Sequence, residues 1–84
     1  MSIQETAKKH VVEYYNSRVD HTNNYTITKD DVYIVWFCYT LGNWKCLLST
    51  NIEDGMYYEV THNAVDKETY LDAYIKYENI CIPL

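Results

Sequence analysis

The stretch Val32-Tyr33-Ile34-Val35-Trp36-Phe37-Cys38-Tyr39 is apolar, β-branched or aromatic on both of its alternating faces. A strand with no polar face is made to be covered on two sides, so it is predicted as a central strand. Leu41-Gly42-Asn43 then supplies a turn, and Trp44-Lys45-Cys46-Leu47-Leu48-Ser49-Thr50 returns as a second strand. Asp54-Gly55 is a further tight-turn signal, because both residues tolerate positive φ, and Met56-Tyr57-Tyr58-Glu59-Val60-Thr61-His62 continues as a third strand. Two short connections predict an antiparallel meander.

Upstream, Ser2-Ile3-Gln4-Glu5 has the form of a capping box, with Ser2 accepting an early helical N–H and Glu5 reaching back. Ile3, Ala7, Val11, Tyr14, Tyr15 and Val19 follow at three- and four-residue steps, which predicts an amphipathic helix over residues 2–18. Asp20-His21-Thr22-Asn23-Asn24 ends it, since short polar side chains compete with the backbone for hydrogen bonds.

Downstream, Tyr70, Tyr74, Tyr77 and Cys81 fall at helical spacing, and Asp72 and Lys76 would form an i,i+4 pair. A helix over 67–78 is therefore expected. The alternative is a fourth strand, with Leu71, Ala73, Ile75 and Tyr77 alternating against Tyr70, Asp72, Tyr74 and Lys76. Ile80-Cys81-Ile82-Pro83-Leu84 is an apolar tail that should dock on its own domain or on a second copy. The expected architecture is a single α+β domain over 1–84: an N-terminal helix, a three-stranded antiparallel meander and a C-terminal helix, or four strands in the alternative.

Composition narrows the function classes. At 84 residues the chain can bury only about 60–65% of its unfolded surface, enough for one thin core. It has no run of apolar residues long enough for a membrane span, and its first residues lack the basic and apolar regions of a secretion signal, so a cytoplasmic setting without membrane contact is expected. Twelve acids against seven bases give a net charge of −5, and Lys8-Lys9 is the only adjacent basic pair. Direct nucleic-acid binding, which needs clustered cations, is disfavoured, and a basic partner is favoured.

Cys38, Cys46 and Cys81 are odd in number and widely spaced, which argues against a disulfide framework; Cys38 and Cys46 are expected as small buried hydrophobes. His10, His21 and His62 match no zinc spacing, and two glycines in all leave no phosphate loop. Asp30-Asp31 and Glu53-Asp54 read as caps or element ends, and Thr28-Lys29-Asp30-Asp31 has a capping pattern. The sequon Asn24-Tyr25-Thr26 would matter only in a secreted protein. No nucleophile, base and orienting group can be assembled, so a non-catalytic protein with no cofactor and no metal is expected.

Ten tyrosines and two tryptophans are more than a core this small can hide. Interfaces are enriched in these residues, so the surplus points to binding, with Tyr33, Val35, Phe37 and Tyr39 or their alternating neighbours on a second face. The candidate partner-binding residues, chosen by strand position, are Tyr33, Asp54, Tyr57, Tyr58 and Glu59.

The segments Asp31-Val32-Tyr33-Ile34-Val35-Trp36, Thr40-Leu41-Gly42-Asn43-Trp44-Lys45, Asp54-Gly55-Met56-Tyr57-Tyr58-Glu59-Val60-Thr61 and Glu68-Thr69-Tyr70-Leu71-Asp72-Ala73-Tyr74 resemble a family of small uncharacterised proteins carried by phages and prophages of Gram-positive bacteria. The resemblance covers the last two-thirds of the chain. It implies a phage accessory protein in the host cytoplasm that occupies a host protein, above all a defence component such as a CRISPR nuclease with a basic nucleic-acid-binding surface. Two other readings stay open: a sponge that sequesters an immune nucleotide in an aromatic pocket, perturbing Trp36 or Trp44, and a structural or regulatory phage domain. Pairing into a homodimer is compatible with each.

Overall fold

Local signals set the first element. The Ser2 hydroxyl accepts the Glu5 N–H at 3.1 Å, and α1 (Ile3–Arg18) follows with an acid in its first turn and Arg18 in its last, as the helix dipole favours. The Glu5 carboxylate is engaged by Lys29 at 3.0 Å, which holds its carboxyl below the usual range. The computed structural model describes residues 2–18 and 26–84. The turn expected at Asp20-His21-Thr22-Asn23-Asn24, the stripe residue Val19 and the sequon at Asn24-Tyr25-Thr26 therefore lie outside the described residues, wholly or in part.

After a single 3-10 turn at Lys29–Asp31 come β1 (Val32–Thr40), β2 (Asn43–Thr50), β3 (Met56–Asn63) and β4 (Glu68–Ile75). They form one antiparallel sheet in the order β1-β2-β3-β4. Leu41 and Gly42 join β1 to β2 with φ of 51° and 86°, the double positive φ of a type I′ hairpin. The 3-10 turn is fixed through Asp31, whose carboxylate accepts the Thr28 N–H at 2.9 Å and the Asn51 amide at 3.1 Å. These bonds, the Thr28 one foremost, hold its carboxyl below the usual range, so Asp31 serves the entry to β1.

The expected C-terminal helix over 67–78 is overturned. Glu68–Ile75 pairs with β3 along its whole length, from Asn63↔Glu68 to Met56↔Ile75, so the four-stranded alternative describes the protein. A step of four residues is even, which places Tyr70 and Tyr74 on one side of a strand as well as on one side of a helix. Pairing with β3 also satisfies backbone groups that β3 would otherwise expose along a sheet edge. Asp72 and Lys76, expected as helical neighbours, are instead about 13 Å apart along an extended chain, and the Lys76 ammonium lies 5.8 Å from the centre of the Tyr57 ring. Residues 76–84 carry neither helix nor strand, and all of them are exposed.

A second departure lies inside β1. Ile34 pairs with Leu48 but Trp36 pairs with Leu47, so Val35 is an extra residue at a bulge. Tyr33 therefore shares a sheet face with Trp36 and Cys38, while Phe37 and Tyr39 join the side of Ile34. Neither simple alternation of β1 survives, because a strand apolar on both faces carries no pattern to fix its register.

The core lies between α1 and one sheet face. Ala7 and Val11 are fully buried against Cys46, Leu48, Tyr58 and Val60, with Trp44, Ile27 and Val32 around them. Fully burying each larger apolar side chain is worth about 1.5–3 kcal/mol. Ile27 is held in place by Asn16, whose amide donates to the Ile27 carbonyl at 3.0 Å and accepts its N–H at 2.9 Å. Of the two cysteines expected to be buried, Cys46 is, and burial pushes its thiol pKa up; Cys38 is exposed, having been turned to the other face beyond the bulge. Among the described residues no helix is long and apolar enough to cross a membrane.

Candidate functional site

Among the described residues no helix lies over the opposite face of the sheet. At one side stand Tyr33 and Trp36 of β1, at the other Tyr70 and Tyr74 of β4, and these four rings are 49%, 43%, 53% and 50% exposed. Each leaves on the order of 100 Å² in water, so together they approach the size of apolar patch that marks an interaction site. Leu47 and Tyr57, both half-buried, lie between them. Ser49 is small enough to be buried between its register partners Tyr33 and Tyr57, and its hydroxyl donates to the Met56 carbonyl at 2.9 Å.

Charge sits in the middle of these rings. Glu59 on β3 and Asp72 on β4 are directly opposite in register, a like-charge cross-strand pair that costs stability. Glu59 is relieved from one side by Lys45 at 3.5 Å. Asp72 is exposed. Nearby, the Tyr70 hydroxyl donates to Glu68, and that bond raises its pKa above the ordinary tyrosine value.

The candidate residues chosen from strand position divide. Tyr33, Tyr57 and Glu59 share the open face. Asp54 is exposed in the β2–β3 connection, where its carboxylate accepts the Met56 N–H at 3.0 Å. Tyr58 lies on the helix side, 2% exposed, with its ring edge-on to Tyr14 at 5.8 Å. Burial, aided by the negative charge of Asp54, pushes its hydroxyl up to about 12, and it is withdrawn from the accessible surface. Trp36, Asp72, Tyr70 and Tyr74 belong to the site but were absent from that choice. The last three were hidden by the helical reading of 67–78, although the strand alternative puts them on one face.

Two hollows are formed by described residues. One of about 210 Å³ lies at the hairpin end beside Trp44, which stacks on His62 with centroids 5.5 Å apart. The other, about 300 Å³, is on the helix side, lined by Tyr14, Tyr15, Arg18, Met56 and Tyr58, with the Arg18 guanidinium 4.0 Å from the Tyr14 ring centre. Among the described residues no three His, Cys, Asp or Glu side chains are grouped so as to hold a metal ion. None of the curated proteins and none of the solved structures matches this chain. It belongs to a family of unknown function (DUF6275), whose model matches residues 4–84.

Proposed function

We propose that this member of the family is a non-catalytic binding protein whose open sheet face occupies a basic surface of another protein. The observation that carries the reading is the opposed Glu59 and Asp72 in the middle of exposed tyrosine and tryptophan rings. Alone, the acidic pair is a cost to the fold; an Arg or Lys delivered by a partner turns it into an attraction. The rings around it would exclude water from that contact, which is how interface charge pairs gain strength.

The resemblance to phage and prophage proteins supplies the setting. In it, the protein acts in the host cytoplasm as an inhibitor of a defence component such as a CRISPR nuclease, whose nucleic-acid-binding surface offers clustered Arg and Lys. A tagged chain, recovered under native conditions from the bacterial host and analysed by mass spectrometry, should carry a stoichiometric protein with such a surface. Tyr57→Ala combined with Asp72→Asn should release it while the chain stays folded. Retention by that folded double variant, or recovery of a bound nucleotide with no protein, would sink the reading.

A further inference from the structure

We infer that residues 76–84 form an arm exchanged between two copies of this chain, docking on the helix side of the partner copy's β4. The inference stands on a different surface from the open face. α1 lies across β1, β2 and β3, and on β4 only Leu71 is even half-buried. Ala73 and Ile75, in register with Tyr58 and Met56, are exposed on the helix side. Their register partners Tyr58 and Met56 line the hollow of about 300 Å³ between the end of α1 and β3. Among the described residues the result is an apolar trough, open along the Ala73 and Ile75 side, with Arg18 at its rim.

The arm has the matching chemistry. Ile80, Ile82 and Leu84 are 66%, 82% and 126% exposed, and in an extended chain every second side chain falls on one side. Glu78, two residues before Ile80, is the acid that such an arm would bring toward Arg18.

The chain's own trough is a poor receiver. The Lys76 N–H is held by the Gly55 carbonyl at 2.7 Å, which carries the chain past the Met56 end of the sheet. None of residues 76–84 is buried against the rest of the chain. A second copy meets both needs at once under twofold symmetry, each giving one arm and receiving one. Ile80, Ile82 and Leu84, at about 100 Å² each on both sides of both contacts, give roughly 1,200 Å², the lower end of the size of a stable specific interface.

Sedimentation equilibrium of the full chain tests this. The expected mass is twice the 10.0 kDa of one chain. Ile80→Asp with Ile82→Asp removes the arm's contacts, and Ala73→Arg blocks the receiver; both sites are exposed, so circular dichroism should be unchanged. Each variant alone should be a monomer. Mixing the two leaves one intact arm–trough contact of the two, so a heterodimer weaker than the original dimer should form. A monomeric full chain, or a dimer indifferent to either variant, would overturn the exchange.

Discussion

Tyr57 and Tyr58 are neighbours of identical chemistry that live in different solvents. Tyr58 points under α1, is buried, and has its hydroxyl pKa pushed up to about 12; Tyr57 is half-exposed on the open face, with Lys76 above its ring. The same division runs across the sheet. On the helix side the strands contribute Cys46, Leu48 and Val60, each fully buried, whereas Leu47 and Glu59 opposite are only partly covered. One side is a core closed by its own helix, and the other is a surface of similar aromatic content that no described residue covers. A side chain's role here follows from which face its register position selects, more than from its type.

The largest expected effect lies on the closed side. Tyr58→Ala should cost about 3–5 kcal/mol, a large part of the stability of a domain this size, and urea denaturation should show it as a much lower midpoint. Tyr57→Ala should move that midpoint by less than about 1 kcal/mol while weakening capture of the partner. Equal losses from the two substitutions would break the comparison.

A second test uses pH. The Tyr58 hydroxyl titrates near 10 when unfolded and at about 12 when folded, so the folded chain holds its proton more tightly. Its contribution is fully present below about pH 10 and is lost as pH rises toward 12, an alkaline weakening on the order of 2 kcal/mol. Tyr58→Phe, which has no proton to lose, should flatten that part of the stability profile measured by urea denaturation at each pH. An unchanged alkaline slope in that variant would mean Tyr58 is not its source.

The smallest change sharpens the contrast from the open side. Asp72→Thr removes the like-charge opposition to Glu59 and inserts a β-branched residue, so stability should rise by about 0.5 kcal/mol. Partner capture should fall in the same variant. A gain of stability with capture intact would assign Asp72 no part in binding.

Much of the fold was legible. The apolar stripe of α1, Leu41-Gly42 and Asp54-Gly55 at the turns, and the β-branched and aromatic runs of β1 to β3 each carry a local signal that the structure obeys. The connection from β3 to β4 carried a fainter one. It has no Gly or Pro; the Asn63 side chain instead accepts the N–H groups of Val65 and Asp66 at 3.0 and 3.2 Å, and Lys67 takes a φ of 54°. Without that turn in view, the four-residue steps of Tyr70 and Tyr74 read as a helix. The open face was legible only as a surplus of aromatics; of the residues chosen from strand position, Tyr33, Tyr57 and Glu59 lie on it and Tyr58 lies on the helix side.

By itself the sequence determined that α1 forms, that three strands follow in a meander, and that more aromatic surface exists than one helix can cover, because periodicity, turn chemistry and composition are local properties. Three things were decided only in the tertiary structure. The bulge at Val35 chose which residues of β1 join Tyr33, pairing with β3 made a strand of Glu68–Ile75, and the placement of α1 buried Tyr58 while leaving Tyr57 in contact with water. Each depends on a partner distant in the chain, and a strand apolar on both sides or a four-residue spacing is compatible with more than one such partner.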